Sequence, residues 1–134
     1  MVAMNRLIFL KKISAGFLAL FVPSSSKHAA QNKRYFLTKF YVAGFVYYDG
    51  ETVLHKLKVG DELKIIQEPT NPYDRRALEI FSDNNIKIGY VPREENPIPS
   101  RLARQNVKII GTVDRINLES ETWKALRVNL FAEI

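Results

Sequence analysis

The chain consists largely of short runs of aromatic and β-branched residues, separated by turn sequences. These runs lie at residues 35–48, 62–68, 76–81, 86–91, 107–118 and 122–131. Branched and aromatic side chains favour extended strands, and clusters such as Ser82-Asp83-Asn84-Asn85 favour turns between strands. Short strands at this close spacing predict a mainly β fold, a small OB-like or SH3-like β-barrel, which is a design that hides the sheet edges.

The first and last runs carry further signals. Gly44 interrupts the first run, so we expect one long strand over residues 35–48 with a bend or bulge at the glycine. The last two runs, 107–118 and 122–131, predict a closing hairpin across residues 119–121.

One or two short helices are expected between the strands. Residues 51–57 suit one or two helical turns after the Asp49-Gly50 turn. A second helix is expected over residues 101–105 with Ser100 as its N-cap, because Pro97 and Pro99 precede it.

The composition excludes several classes of chemistry. The chain has no Cys, so disulfides, thiolate zinc sites and thiol catalysis are excluded. Its two histidines, His28 and His55, lie far apart and have no metal-ligand spacing, so we predict neither a metal nor a cofactor. No nucleophile elbow, phosphate-binding glycine loop or zinc-protease motif is present, and the acidic pair Glu94-Glu95 adjoins prolines, as in a solvated loop. We therefore predict no catalytic residues and no enzyme activity.

Residues 1–30 resemble an export leader rather than part of the fold. An apolar run at 13–22 follows a basic start and precedes a small polar break, Pro23-Ser24-Ser25-Ser26. We expect an export signal or membrane anchor, cleaved or retained, with membrane association through residues 7–22 and a location in the periplasm or inner membrane. The alternative is an amphipathic N-terminal helix of a cytoplasmic protein. Residues 31–37 then form a linker and the start of the first strand.

The net charge of +6 is concentrated in this leader. Four basic residues and no acidic ones lie before residue 33, which leaves 16 basic and 14 acidic residues in the rest of the chain. The predicted domain, residues 38–134, is therefore nearly neutral, and its net charge alone does not indicate a polyanionic partner.

A rigid loop is predicted at residues 67–78, between two strand-like runs. Pro69 and Pro72 fix their own φ angles and restrict the residues before them. The loop therefore presents Tyr73, an aromatic face with a hydroxyl, beside Asp74, a hydrogen-bond acceptor, and this pair suits a sugar or a base. The alternative is that Asp74 caps the following segment and Tyr73 covers the edge of the core.

Three sequence blocks occur in order along the chain: VAGFVYY at 42–48, EPTNPYD at 68–74 followed by Ala77, and KIGYVP at 87–92. Together they resemble the HIRAN domain, a module found at the N-terminus of helicase-like transcription factor and as a free-standing bacterial protein. The resemblance covers about residues 38–132. It implies a small β-barrel related to the OB-fold.

The resemblance also implies a function, because helicase-linked HIRAN domains bind the 3′ end of single-stranded DNA. It places Tyr47 where an aromatic stacks on the terminal base, Tyr73 where the nucleotide is met, and Asp74 where a carboxylate accepts the 3′-hydroxyl. Tyr90 stands where the DNA-binding member has a histidine near the DNA backbone, and Val46 stands where that member has a basic residue.

Basic residues near these positions are candidates for phosphate contacts. They are Lys87 and Arg93, together with Lys39 and Arg101. The predicted function is a module that binds nucleic acid and recognises single-stranded DNA ends through the 3′-hydroxyl, without catalysis. The alternative is an exported envelope or interaction domain that keeps the barrel and does not bind DNA.

Overall fold

Residues 32–134 are described by a computed structural model. The predictions for residues 1–30, which concern the leader, its cleavage and its membrane association, lie outside the described residues. Within residues 32–134, no helix has the length and hydrophobicity needed to cross a bilayer.

The described residues form one antiparallel sheet, which confirms the predicted mainly β fold. Its strands are β1 (Arg34–Tyr41), β2 (Glu62–Gln67), β3 (Leu78–Phe81), β4 (Lys87–Tyr90), β5 (Lys108–Ile116) and β6 (Leu126–Glu133). They are hydrogen-bonded in the order β1-β6-β5-β2-β3-β4. Two short helices, α1 (Gly50–Leu54) and α2 (Pro97–Arg104), lie between strands.

The two edges of this sheet are joined by backbone hydrogen bonds. Ala43, two residues after β1, forms a bridge with Tyr90 at the end of β4. The Ala43 amide donates to the Tyr90 carbonyl and the Tyr90 amide donates to the Ala43 carbonyl, both with N···O distances of 2.9 Å. The sheet thereby closes into a small barrel.

The barrel interior is filled by alternate side chains of the strands. In β6, buried residues alternate strictly with partly buried ones, as expected from the two-residue period of a strand. The most deeply buried side chains come from β2, β3, β4, β5 and β6; they are Leu63, Leu78, Ile80, Ile88, Val113, Leu126, Val128 and Leu130. Burying each such side chain contributes about 1.5–3 kcal/mol to stability.

The first strand is shorter than predicted. Its pairing with β6 ends at Tyr41, opposite Arg127, because β6 begins one residue earlier, at Leu126. Ala43 then pairs with Tyr90, and Gly44, in a left-handed conformation with φ of 69°, turns the chain out of extended geometry. The next residues, Phe45–Tyr47, form a 3₁₀ turn. This turn buries Phe45 in the core and leaves the Tyr47 side chain 84% exposed. Tyr47 is therefore presented by a turn and not by the barrel wall.

The helix boundaries also differ from the predictions. Helix α2 begins at Pro97 with Asn96 as its N-cap residue, and not after Ser100. The first turn of a helix has no acceptors for its amide groups, so proline there removes no hydrogen bond. The first helical hydrogen bond runs from the Ser100 amide to the Asn96 carbonyl, at 2.9 Å. Helix α1 covers Gly50–Leu54, whereas residues 51–57 were predicted.

Two strands begin later than predicted. Strand β3 begins at Leu78 and not at residue 76, because the loop before it continues to Ala77. Strand β6 begins at Leu126 and not at residue 122, because Thr122–Lys124 form a 3₁₀ turn.

Gly89 lies where the barrel closes, next to the Ala43–Tyr90 bridge, and its geometry gives a prediction. Its φ is +150°, and a Cβ atom there would lie 2.5 Å from the Ala43 carbonyl oxygen and 2.5 Å from Val42 Cγ1. We expect Gly89→Ala to lower the free energy of unfolding by about 3 kcal/mol or more, through backbone strain and overpacking together. Urea denaturation followed by circular dichroism measures this loss.

Gly60→Ala is the matched control. Gly60 has a φ of +94°, but a Cβ atom there would meet no atom of the described chain within 4 Å. Gly60→Ala should therefore lower the free energy of unfolding only through backbone strain, by about 1 kcal/mol. Equal losses at the two positions would contradict a steric role for Gly89.

Candidate functional site

The loop between β2 and β3 is held by the side chain of Asn71. The Asn71 Oδ1 atom accepts hydrogen bonds from the backbone amides of Tyr73 and Asp74, at 2.9 and 3.0 Å. At the base of the loop, the Glu68 amide donates to the Ala77 carbonyl at 3.0 Å. The loop is therefore ordered by polar contacts of its own residues, in addition to the predicted stiffening by its two prolines.

Asp74 uses both of its carboxylate oxygens inside the protein. Oδ1 accepts the backbone amide of Arg76 at 2.9 Å, and Oδ2 accepts the side-chain amide of Asn96 at 2.8 Å. Burial alone would raise the pKa of Asp74, but these two hydrogen bonds, with the nearby charges of Arg93 and Arg76, hold that pKa below its ordinary value. Asp74 is thus ionised at neutral pH. It caps the backbone at Arg76, which was the alternative role derived from the sequence, and it also lines the groove.

A groove of about 710 Å³ opens at this loop. It is lined by Pro69, Thr70, Asn71, Pro72, Tyr73, Asp74, Arg75, Arg76, Arg93 and Asn96. The Tyr73 side chain is 86% exposed, so one ring face is available to a ligand. Three arginines and one aspartate line the groove, which gives it a positive charge although the domain as a whole is nearly neutral. We call this cavity the loop groove.

Tyr47 lies in a second groove, of about 610 Å³. The 3₁₀ turn that carries Tyr47 lies opposite the 3₁₀ turn that carries Trp123, and both side chains line this groove. Trp123 is 58% exposed, and the ammonium group of Lys124 lies 4.4 Å from the centre of its ring. Two exposed aromatic faces therefore share one cavity, which we call the aromatic groove.

The segment that connects β4 to α2 separates the two grooves. Arg93 and Asn96 line the loop groove, whereas Pro92, Glu94 and Glu95 line the aromatic groove. Arg93 also donates to the Tyr73 carbonyl, with an Nη2···O distance of 3.2 Å. The structure thus brings Tyr73, Asp74 and Arg93 together in one cavity and places Tyr47 in the adjoining one.

Lys87 and Tyr90, the other two residues of the predicted site, lie beneath the loop. The Lys87 ammonium is 3.1 Å from Glu79 Oε1 and donates to the Tyr90 hydroxyl at 2.7 Å. The Tyr90 hydroxyl donates in turn to Glu68 Oε2. Neither residue lines the loop groove or the aromatic groove.

No group of three or more histidine, cysteine, aspartate or glutamate side chains among residues 32–134 is arranged to hold a metal ion. The polar groups of the loop groove are guanidinium, amide and carboxylate groups. Such a set suits a phosphorylated or hydroxylated ligand.

Four groove residues that contribute to the site were not predicted from the sequence: Arg75, Arg76, Asn96 and Trp123. Asn96 is buried with 2% exposure, and the signal for it was an asparagine directly before Pro97, which is a common start of a helix. Trp123 is the one tryptophan of the chain and stands in a polar turn, where an exposed aromatic side chain indicates a contact surface.

Known proteins resemble this chain both in sequence pattern and in fold. The sequence profile of the HIRAN domain matches residues 35–134. No curated protein sequence matches the chain.

Two solved structures share the fold. A protein from Lactobacillus plantarum superposes with a TM-score of 0.68 at 24% sequence identity, covering 76% of this chain and 97% of its own. The HIRAN domain of human HLTF superposes with a TM-score of 0.57 at 16% identity, covering 75% of this chain and 78% of its own.

The lowered pKa of Asp74 predicts how stability depends on pH. A lowered folded-state pKa contributes stability that is present above the ordinary aspartate pKa of about 3.9 and is lost as the pH falls through the folded-state pKa. We expect the wild type to lose unfolding free energy more steeply than Asp74→Asn between about pH 5 and pH 2. Urea denaturation at several pH values measures both slopes.

Asp83→Asn, in the exposed turn between β3 and β4, is the control and should keep the wild-type slope. If the free energy of unfolding fell equally steeply with pH in the wild type and in Asp74→Asn, the contacts of Asp74 would not favour its ionised form.

Proposed function

Because the chain belongs to the HIRAN domain family, we propose that it is a nucleic-acid-binding module that recognises single-stranded DNA ends through their 3′-hydroxyl, without catalysis. The observation that carries the proposal is the pairing of Tyr73 and Asp74 at the mouth of the loop groove. An exposed aromatic face and an ionised carboxylate stand on adjacent residues whose backbone amides bind the same asparagine oxygen.

Each side chain has a separate role in this proposal. The ring of Tyr73 stacks on a base, which contributes about 1–3 kcal/mol and is tolerant of base identity. The carboxylate of Asp74 accepts the terminal hydroxyl, since each carboxylate oxygen can accept a second hydrogen bond beside the one it already accepts. Arg75, Arg76 and Arg93 neutralise the phosphates that lead to the end.

End recognition follows from the charge of Asp74. Inside a strand the 3′ oxygen is esterified, so it has no proton to donate, and its phosphate would meet a carboxylate of the same charge. Both effects favour a free 3′-hydroxyl over an internal or phosphorylated one. The aromatic groove, with Tyr47 and Trp123, adjoins this site and offers stacking faces for neighbouring bases.

Val46 leaves the Tyr47 side of the site without the basic residue that the resemblance places there. The aromatic groove is lined by one basic residue, Lys39, and by two acidic residues, Glu94 and Glu95. The loop groove has three basic residues, Arg75, Arg76 and Arg93, and one acidic residue, Asp74. We propose that the phosphate contacts are made from that side.

The first prediction for this proposal concerns Asp74. We expect Asp74→Asn to reduce the preference for a free over a 3′-phosphorylated strand by about tenfold, because the amide loses charge-assisted acceptance and no longer repels the phosphate. Fluorescence anisotropy with short labelled strands measures the two dissociation constants. Asp74→Ala is a poorer probe, because it leaves the buried Asn96 amide without its acceptor.

Tyr47→Phe is the control, since it keeps the ring face and should keep the end preference. An Asp74→Asn protein that folds and retains the wild-type preference would refute end recognition by this carboxylate.

The second prediction concerns Tyr73. Because its side chain is 86% exposed, Tyr73→Ala should leave the unfolding free energy nearly unchanged and weaken binding by about 1–3 kcal/mol. Tyr73→Phe, which retains the stacking face, should bind almost as well as the wild type. Titration by anisotropy, with thermal unfolding of each variant, separates the two effects. Equal binding by Tyr73→Ala and the wild type would remove stacking from the proposal.

A further inference from the structure

A continuous chain of hydrogen bonds runs beneath the loop groove. It starts at the Lys87 ammonium, which donates to the Tyr90 hydroxyl at 2.7 Å, and the hydroxyl donates to Glu68 Oε2 at 2.5 Å. The same Glu68 oxygen accepts the side-chain amide of Asn71 at 3.3 Å. The other end of that amide group, Oδ1, holds the backbone amides of Tyr73 and Asp74. The polar chain thus connects β4 to the two residues that face the ligand.

The charge of Lys87 is neutralised inside this chain. Its ammonium pairs with Glu79 and lies 4.4 Å from the ring centre of Tyr48 and 4.2 Å from that of Tyr90. The side chain is 24% exposed. A phosphate would therefore have to compete with a carboxylate and two aromatic faces for this cation.

Tyr90 is fixed both by its ring and by its backbone. Its ring packs edge-on against Tyr48, with the ring centres 5.7 Å apart, and its backbone closes the barrel through Ala43. Burial and the hydrogen bond to Glu68 raise the pKa of Tyr90 to about 12, so the hydroxyl keeps its proton at neutral pH. The hydrogen bond from Tyr90 also lowers the pKa of Glu68, which keeps that acceptor ionised.

We propose that Lys87, Tyr90 and Glu68 are positioning residues: they fix the Asn71 side chain, which fixes the backbone of Tyr73 and Asp74, and they do not contact the nucleic acid. What the loop binds rests on the proposed function, whereas the ordering of the loop can be measured without any ligand. Among the residues of the predicted site, Lys87 and Tyr90 thus shape the loop, whereas Tyr73, Asp74 and Arg93 contact the nucleic acid.

The ligand-free test is amide hydrogen exchange in the full chain. Tyr90→Phe removes only the hydroxyl, and Lys87→Met removes the ammonium while keeping most of the aliphatic stem. We expect the amides of Tyr73 and Asp74 to exchange about tenfold faster in Tyr90→Phe, and faster in Lys87→Met, because the loop opens more readily. Lys39→Met is the matched control, since Lys39 pairs with Asp114 at 3.4 Å, away from the loop, and the exchange rates should stay at the wild-type value.

Glu68→Gln is a further variant that keeps an acceptor oxygen for Tyr90 and Asn71. It should give exchange rates at Tyr73 and Asp74 between those of the wild type and Tyr90→Phe. The amides of β6 should keep their wild-type rates in all these variants, whereas general destabilisation of the barrel would raise the rates in β6 as well. Thermal unfolding by circular dichroism shows that each variant is folded at the temperature of measurement.

The binding test uses the dependence of affinity on salt, measured by anisotropy with a short strand that has a free 3′ end. Loss of a phosphate contact lowers the slope of log affinity against log salt by about 0.7 for a single strand, whereas loss of a positioning residue lowers affinity and leaves the slope unchanged. We expect Lys87→Met and Tyr90→Phe to bind about three- to tenfold more weakly with the wild-type slope. Arg93→Gln, at the surface of the loop groove, should lower the slope.

The two tests fail in different ways. A wild-type protein that binds no nucleic acid would refute the proposed function. The exchange measurement would still decide whether the chain of hydrogen bonds from Lys87 to Asn71 orders the loop. Unchanged exchange at Tyr73 and Asp74 in both Tyr90→Phe and Lys87→Met would overturn the inference. A lower salt slope in Lys87→Met would also overturn it, because Lys87 would then be a phosphate contact.

Discussion

Two hydrogen bonds between the backbones of Ala43 and Tyr90 determine where the site lies. They join the two edges of the sheet, and they require glycine at residue 89, where a Cβ atom would collide with the Ala43 carbonyl. In a flat sheet of this strand order, β1 and β3 would be about 19 Å apart, because four strand spacings separate them. Closure reduces this to two spacings, about 10 Å, so the turn that carries Tyr47 approaches the loop that carries Tyr73.

The loop itself depends on polar contacts more than on burial. Its conformation is held by Asn71 and Asp74, whose side chains bind backbone amides of the loop, and by Asn96, which binds Asp74 from another element. Because these contacts exist without a ligand, a nucleotide that binds here would not have to order the loop, and less of its binding energy would be spent on conformational entropy. The positive charge of the groove is local, and the small net charge of the domain does not reveal it.

Much of the fold could be predicted from the sequence, because strand signals are local. The alternation in β6 and the turn cluster after β3 act within a few residues of themselves, and the prolines stiffen the loop wherever it lies. The boundaries were less predictable. A glycine such as Gly44 is compatible with a bulge inside a strand or with a left-handed stop, and prolines such as Pro97 and Pro99 suit the first turn of a helix as well as the segment before it.

The sequence by itself determined the strand segments and the stiff loop that holds Tyr73 beside Asp74, since these follow from residue types within one segment. The exposure of Tyr73 was decided by the tertiary structure, because the sequence also allowed this ring to cover the edge of the core. Only the tertiary structure decided the partners of those residues. The hydrogen bonds from Asn96 to Asp74 and from Tyr90 to Glu68 each span 22 positions of the chain, so they exist only because barrel closure places the segment after β4 against the β2–β3 loop. Short-range patterns specify backbone geometry, whereas the pairing of distant polar groups depends on strand order and closure, which no single segment encodes.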